Sequence, residues 1–237
     1  MEPESRPRMY ILHYAPDNAS MILRIALLEA RVDFTTRLVD RRLREQDGPD
    51  YRALAPTGLI PTLETPEGPL FETGAVLLWL SDRHPSARLG PSTDSPLRGH
   101  FLKWLFFLSN SAHADLRQLF YPLTYVPAEA VAGHGDIISA RMIRHFALLD
   151  RACAGDPSLF APPSALAIYA CALIRWSVLY PEGHSPWFRH ADFPALAGLC
   201  HNMEARASVT ETARAEGLGP SPFSVPQPVC PPEGSAT

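Results

Sequence analysis

Patterns typical of β-strands occur only in the first 85 or so residues of this chain, and the remainder is patterned for helices alone. Up to that point the order is strand, helix, strand, irregular segment, hairpin and helix. A βαβ unit followed by a ββα unit predicts a small mixed sheet with helices on its faces. Helical runs then cover about 97–120, 128–153, 163–180 and 192–214, which predicts an all-helical second domain.

Two segments rich in proline and glycine separate or follow these patterns. Residues 86–96 have the composition of a linker. Residues 217–237 are rich in proline and poor in apolar side chains, which is typical of a disordered tail. We therefore expect an α/β N-terminal domain over 9–85, an all-α C-terminal domain over 97–216 and a disordered Pro-rich tail over 217–237.

Composition narrows the range of partners. With 237 residues, 46% of them hydrophobic, the chain can bury one large or two small cores without disulfides. Its four cysteines form no CxxC pair, so we expect neither a disulfide framework nor a metal site. The net charge of −4 shows no long run of one sign, and neither a leader peptide nor a membrane-spanning run is recognisable. We expect a cytoplasmic protein that binds neither nucleic acid nor membrane.

Three segments in the first domain carry a recognisable combination of residues. They are Tyr14–Ser20 (YAPDNAS), Ala55–Thr62 (APTGLIPT) and Phe71–Leu80 (FETGAVLLWL). In order and spacing they resemble the three glutathione-site segments of cytosolic glutathione transferases, and the bacterial members, including the beta class, look most similar. The resemblance implies a thioredoxin-like N-terminal domain joined to an all-α C-terminal domain, with glutathione bound as co-substrate.

The catalytic assignment concerns the end of the first segment. A thiol with a pKa of about 8.5 is mostly protonated at neutral pH, so the enzyme must stabilise the thiolate. Ser20 precedes an apolar helix, where a hydroxyl and the helix N-terminus can both act on an anion. Local sequence alone favours a simple N-cap, whereas the resemblance favours Ser20 as the catalytic residue, with Asn18 as second candidate. Beta-class relatives have cysteine where Ala19 stands here, so their mixed-disulfide chemistry does not carry over.

The other two segments supply the peptide-binding residues that the resemblance implies. Ile60 and Pro61 match the hydrophobic residue and cis-proline that pair with the cysteinyl unit of glutathione. Glu72 and Thr73 precede a helix, where they would receive the γ-glutamyl group. On local sequence a trans proline and an ordinary helix cap are the alternatives for these two pairs.

The resemblance also concerns residues outside these three segments. His113 resembles a beta-class histidine near the thiol and is otherwise an ordinary interhelical histidine. Arg42 and Arg44 are both candidates for the glycine carboxylate. Six aromatic residues surround the same helix, and some of them should line an apolar pocket: Trp104, Phe106, Phe107, Phe120, Tyr121 and Tyr125. Ser164 begins a capping box whose usual acidic residue is replaced by Ala167.

These features predict a glutathione transferase that conjugates the glutathione thiolate to a small apolar electrophile, acts in detoxification and forms a homodimer. A specialised glutathione-dependent lyase or isomerase would use the same thiolate. A non-catalytic protein-interaction module with this fold is the third hypothesis, although such a module has no physical need for Pro61, Glu72 and Thr73.

Overall fold

The structure, a computed structural model, describes residues 9–181 and 186–236; residues 1–8 and 182–185 and Thr237 lie outside it. Its N-terminal part contains β1 (Tyr10–Tyr14), α1 (Ser20–Ala30), β2 (Phe34–Leu38), α2 (Pro49–Leu54), β3 (Thr62–Thr65), β4 (Gly68–Phe71) and α3 (Thr73–Arg83). The strands form a sheet in the order β2-β1-β3-β4, with β2 parallel to β1 and the other pairs antiparallel. This is the predicted mixed sheet, and the predicted thioredoxin-like α/β fold class is confirmed.

Beyond α3 the longer regular elements of the described residues are all helices. They form α4 (Arg98–Phe106), a π-helical stretch (Phe107–His113), α5 (Ala114–Phe120), α6 (Val131–Gly155), α7 (Pro157–Phe160), α8 (Ala165–Leu179), α9 (Pro194–Glu204) and α10 (Ala207–Glu216). The first predicted helix is thus continuous but passes through the π stretch, and the last is divided after Glu204. No helix in the described ranges is long and apolar enough to cross a membrane.

Helix α1 packs on both halves of the molecule, against α3 and also against α8 and α10. Its apolar side chains are buried, as the sequence indicates, and its two charged residues are neutralised by the helical part. Arg24 donates to Glu216 at 2.8 Å, and Glu29 accepts from Arg206. Burial raises the pKa of Glu216 to about 7 although Arg24 acts in the opposite direction.

Helix α8 begins at the predicted cap. The Ser164 hydroxyl accepts from the Leu166 amide at 3.2 Å and donates to the Leu159 carbonyl at 2.6 Å. The Ser164 amide, which an acidic residue at position 167 would receive in a full capping box, donates instead to the Ala161 carbonyl at 2.9 Å. A backbone carbonyl therefore replaces the missing half of the box.

The C-terminal segment is not the disordered tail that its composition predicts, at least over residues 217–236. Leu218 and Phe223 are buried in the core. The buried Arg175 donates to the carbonyls of Leu218, Pro222 and Gln227 at 3.1–3.3 Å. Composition misleads here because two buried apolar side chains, Leu218 and Phe223, together with charged side chains of the helical part are enough to fix the backbone.

Candidate active site

An open cleft of about 740 Å³ lies where the N-terminal part meets α5 and α8. Its walls include all six residues expected to bind glutathione, five from the N-terminal part and one, His113, from the helical part. These residues are Asn18, Ile60, Pro61, Glu72, Thr73 and His113. The structure therefore brings the three sequence segments together around one cavity.

The Ile60–Pro61 peptide bond is cis and precedes β3 on the cleft wall. Within the described ranges the backbone amide and carbonyl of Ile60 form no hydrogen bond. Tyr51 holds this loop, because its hydroxyl donates to the Leu59 carbonyl at 2.8 Å and lies 3.0 Å from the Thr62 hydroxyl. An extended peptide can pair with the unoccupied backbone groups of Ile60.

The N-terminus of α3 forms a second part of the wall. Glu72 is exposed and has a φ of 69°, and Thr73 is the first residue of the helix. Gly74 follows so close to the π stretch that a Cβ there would lie 3.1 Å from the Ser109 Cβ. The first-turn amides and the Glu72 carboxylate are thus available for a group that carries both a carboxylate and an ammonium.

The loop before α1 places Asn18 and Ala19 on the wall. The Asn18 side-chain oxygen accepts from the Ala19 amide at 2.8 Å, and its NH₂ group has no partner among the described residues. The neighbouring Asp17 is held by α8, since its carboxylate accepts from Arg175 at 2.8 and 2.9 Å and from Trp176 at 2.9 Å. Asn18 therefore presents a hydrogen-bond donor at the start of a helix.

The structure places Ser20 elsewhere. Its side chain is fully buried and does not line the cleft. The hydroxyl donates to the Ala15 carbonyl at 3.0 Å and lies 3.3 Å from the Ala15 amide, so it closes the preceding turn. The expected catalytic role does not fit this geometry, because Ser20, the first helical residue, turns its side chain into the core. Residues 18 and 19 face the cleft instead.

His113 ends the π stretch and packs beside Trp176, with ring centroids 5.4 Å apart. Its Nδ1 lies 2.9 Å from the Tyr169 hydroxyl. Burial, with a contribution from Arg117, lowers the pKa of His113 to about 4. His113 is therefore neutral near pH 7 and contributes hydrogen bonds rather than charge.

Neither arginine considered for the glycine carboxylate lines this cleft. Arg42 is paired with Asp40, and Arg44 with Asp47. Arg41 and Arg117 line it instead. Sequence reasoning missed both, since an arginine in an irregular segment or on a helix gives no signal of the direction in which it points.

The aromatic residues divide between the cleft and the rest of the protein. Phe120 and Tyr121 line the cleft, as expected for some of the set. Trp104 and Phe107 pack against the core, and Phe106 is 53% exposed outside the cleft. Among the described residues no group of three or more His, Cys, Asp and Glu side chains could hold a metal ion.

The family model "Glutathione S-transferase, N-terminal domain" matches residues 19–83. Over 213 residues the chain is 27% identical to Glutathione S-transferase GstA of Escherichia coli O157:H7, a match that covers 87% of this chain and 98% of that protein. A solved sphingomonad glutathione S-transferase complexed with glutathione is 28% identical, with a TM-score of 0.74 over 88% of this chain and all of the other. The Probable elongation factor 1-gamma 2 of Arabidopsis thaliana is 33% identical over 85 residues, or 35% of this chain and 20% of that protein.

Proposed function

We propose that this chain, a member of the glutathione transferase family with bacterial proteins among its relatives, conjugates glutathione to a small electrophile in the cleft described above. The observation that carries the proposal is the convergence of Asn18, Ile60 and the α3 N-terminus on one open cavity. Glutathione is the co-substrate, and the bound electrophile faces Phe120 and Tyr121.

The proposed position of glutathione follows from the unoccupied groups of the wall. Its γ-glutamyl carboxylate accepts from the first-turn amides and hydroxyl at Thr73, while the ammonium pairs with Glu72. The cysteinyl backbone pairs with Ile60 as an added strand beside cis-Pro61. His113, from the helical part, lines the same cleft and provides a neutral contact.

Thiol activation is assigned to Asn18 in place of Ser20. The free NH₂ group of Asn18 can donate to the thiolate, and the N-terminus of α1 adds its partial positive charge. Both interactions favour the anion over the thiol and therefore lower the pKa of the bound glutathione. The sulfur then attacks the electrophilic carbon, the C–S bond forms, and the leaving group departs with its electron pair.

The matched pair Asn18→Ala and Ser20→Ala tests this assignment. We expect Asn18→Ala to raise the pKa of bound glutathione and to lower kcat for an aryl halide about tenfold, the loss of one charge-assisted hydrogen bond. Ser20→Ala should lower the unfolding temperature and leave the pKa of bound glutathione unchanged. Spectroscopic titration of the bound thiolate measures the pKa directly. A raised pKa in Ser20→Ala alone would overturn the assignment.

A glutathione-dependent lyase or isomerase would use the same bound thiolate, and a panel of ether and isomerisable substrates separates these activities from conjugation. The match to an elongation factor supports a protein-interaction module as the alternative of a different class. Such a module has no need for a glutathione-binding cleft. Failure to bind immobilised glutathione would therefore favour the interaction module.

We further propose a cytoplasmic homodimer that acts in detoxification. The family resemblance supports this assembly, as does Phe106 on α4, which is 53% exposed and lies outside the cleft. Light scattering of the purified protein gives the mass in solution. A mass of one chain at micromolar concentration would refute the dimer.

A further inference from the structure

The outer end of the cleft contains two arginines beside one aromatic ring. The guanidinium carbons of Arg41 and Arg117 lie 5.8 and 5.2 Å from the centroid of Tyr121. Both arginines and Tyr121 line the cleft. Arg41 comes from the irregular segment after β2 and Arg117 from α5, so the two parts of the molecule each supply one cation.

Neither arginine forms an ion pair with a carboxylate in the ranges 9–181 and 186–236. Arg41 donates to the Ala236 carbonyl at 2.7 Å and to the Tyr121 hydroxyl at 2.8 Å. Arg117 donates to the Tyr125 hydroxyl at 2.6 Å. Each guanidinium has five N–H donors, so both retain donors, and no carboxylate of the described residues is paired with either charge.

Among the described acidic residues that line the cleft, only Glu72 at the N-terminus of α3 has no ion-pair partner, and the proposed function assigns its carboxylate to the ammonium of glutathione. The other acidic residues are already paired. Asp17 is bound by Arg175, and Asp47 by Arg44 and Arg52. Asp115, which lies on α5 with Arg117, is bound by Arg141 and His145. Within the ranges 9–181 and 186–236, Arg41 and Arg117 are therefore cations of the cleft wall without a paired carboxylate, and such groups attract an added anion.

The walls beside this charge suit an aromatic body. The ring of Phe120 lies 6.5 Å from that of Tyr121 and 5.7 Å from that of Tyr180. Aromatic side chains next to guanidinium groups fit a ring that carries a carboxylate, which arginine binds with two parallel hydrogen bonds.

We propose that Arg41 and Arg117, around Tyr121, form a subsite for the carboxylate of an acidic aromatic electrophile. This proposal rests on the proposed function and narrows its small electrophile to an anionic aromatic one, in place of the apolar electrophile expected from the sequence. In the reaction the glutathione sulfur bonds to the ring carbon that carries the halide, the carbon–halogen bond breaks, and the halide leaves with the electron pair. The carboxylate stays bound to the arginines and holds the ring toward the thiolate.

The backbone of the C-terminal segment takes part in this subsite. The carbonyl of Ala236 holds one Nη of Arg41, and Ala236 itself lines the cleft. The Tyr14 hydroxyl binds Glu233 just before it, which ties the segment to β1. The segment therefore positions the Arg41 side chain at the cleft.

The test compares chlorodinitrobenzoate with its methyl ester, which share the ring and the leaving group. The quantity of interest is the ratio of kcat/KM for the acid to that for the ester, measured in wild type, Arg41→Gln, Arg117→Gln and the control Arg189→Gln. Arg189 is exposed and paired with Asp192 away from the cleft. We expect each cleft variant to lower the ratio about tenfold or more, as for one lost charge-assisted hydrogen bond, and the control to leave it unchanged.

Glutathione itself carries carboxylates, so its KM is measured in the same variants. A rise in the KM of glutathione with an unchanged acid-to-ester ratio would assign the arginines to glutathione and overturn the subsite. Calorimetric binding of the unreactive dinitrobenzoate to the glutathione-loaded protein separates this proposal from the proposed function. Arginine-dependent binding without turnover of either electrophile supports the subsite and refutes conjugation. Equal binding to wild type and Arg117→Gln overturns the subsite.

Discussion

Replacement of Arg175 by methionine tests how the C-terminal segment is held against the glutathione site. The Arg175 side chain is fully buried, and it donates to the two carboxylate oxygens of Asp17 at 2.8 and 2.9 Å. The same guanidinium donates to the carbonyls of Leu218, Pro222 and Gln227. Arg175→Met keeps most of the volume and removes all of these donors at once.

The expected cost follows from the charge that remains. Breaking a buried ion pair from one side costs about 3–5 kcal/mol, because the other charge is left uncompensated. Asp17 still accepts from Trp176 at 2.9 Å and from Tyr180 at 3.0 Å, so the lower end, about 3 kcal/mol, is expected. A domain of this size loses about 2–4 °C in Tm per kcal/mol, which gives a fall of about 6–12 °C.

Urea unfolding measures the free energy, and limited proteolysis reports on residues 217–236. Arg189→Met is the control, because its exposed ion pair contributes less than about 1 kcal/mol. The double variant Asp17→Asn/Arg175→Met should cost less than the sum of the two single variants, since neither charge then remains. A loss below about 1 kcal/mol in Arg175→Met, or a segment as protected as in wild type, would refute the reasoning.

Three further outcomes are expected. Glu72→Gly should raise the free energy of unfolding by about 1 kcal/mol, because a φ of 69° strains any residue with a Cβ, and it should also weaken glutathione binding. Glu72→Ala should weaken binding equally but leave the free energy of unfolding unchanged. Calorimetry measures the binding, and thermal unfolding measures the stability. Ser164→Ala should cost about 1–2 kcal/mol in urea unfolding through the lost cap of α8, and no loss would contradict the capping role. His113 has a pKa of about 4 in the folded protein and 6.5 in the unfolded chain. Between these pH values the unfolded chain therefore binds more protons than the folded protein. The free energy of unfolding should fall as the pH drops from 6.5 to 4, by at most about 1.4 kcal/mol per pH unit. His113→Gln can keep the bond to Tyr169 and should lose this pH dependence, and an equal dependence in both proteins would contradict the shift.

Much of the candidate cleft was predictable from the sequence because several of its residues present backbone groups to the cavity. Ile60–Pro61 and Glu72–Thr73 lie at a strand start and a helix start, whose existence turn and capping residues indicate in the local sequence. Their arrangement around one cavity follows from the order of the sheet. The burial of Ser20 was not predictable, because a shift of one or two residues at the start of a helix decides which side chain enters the core, and sequence does not define that start to the residue.

Local patterns along the chain were enough to predict that a mixed α/β unit precedes a helical one, since periodicity and turn residues are local properties. The partners of the charged side chains, in contrast, depend on how distant parts of the chain pack together. Arg175 and Asp17 are 158 residues apart, and Arg41 meets Ala236 from 195 residues away. Such pairs form because burial requires each polar group to find a partner wherever the fold supplies one, and no local pattern records that partner. For the same reason the proline-rich C-terminal segment is ordered over residues 217–236.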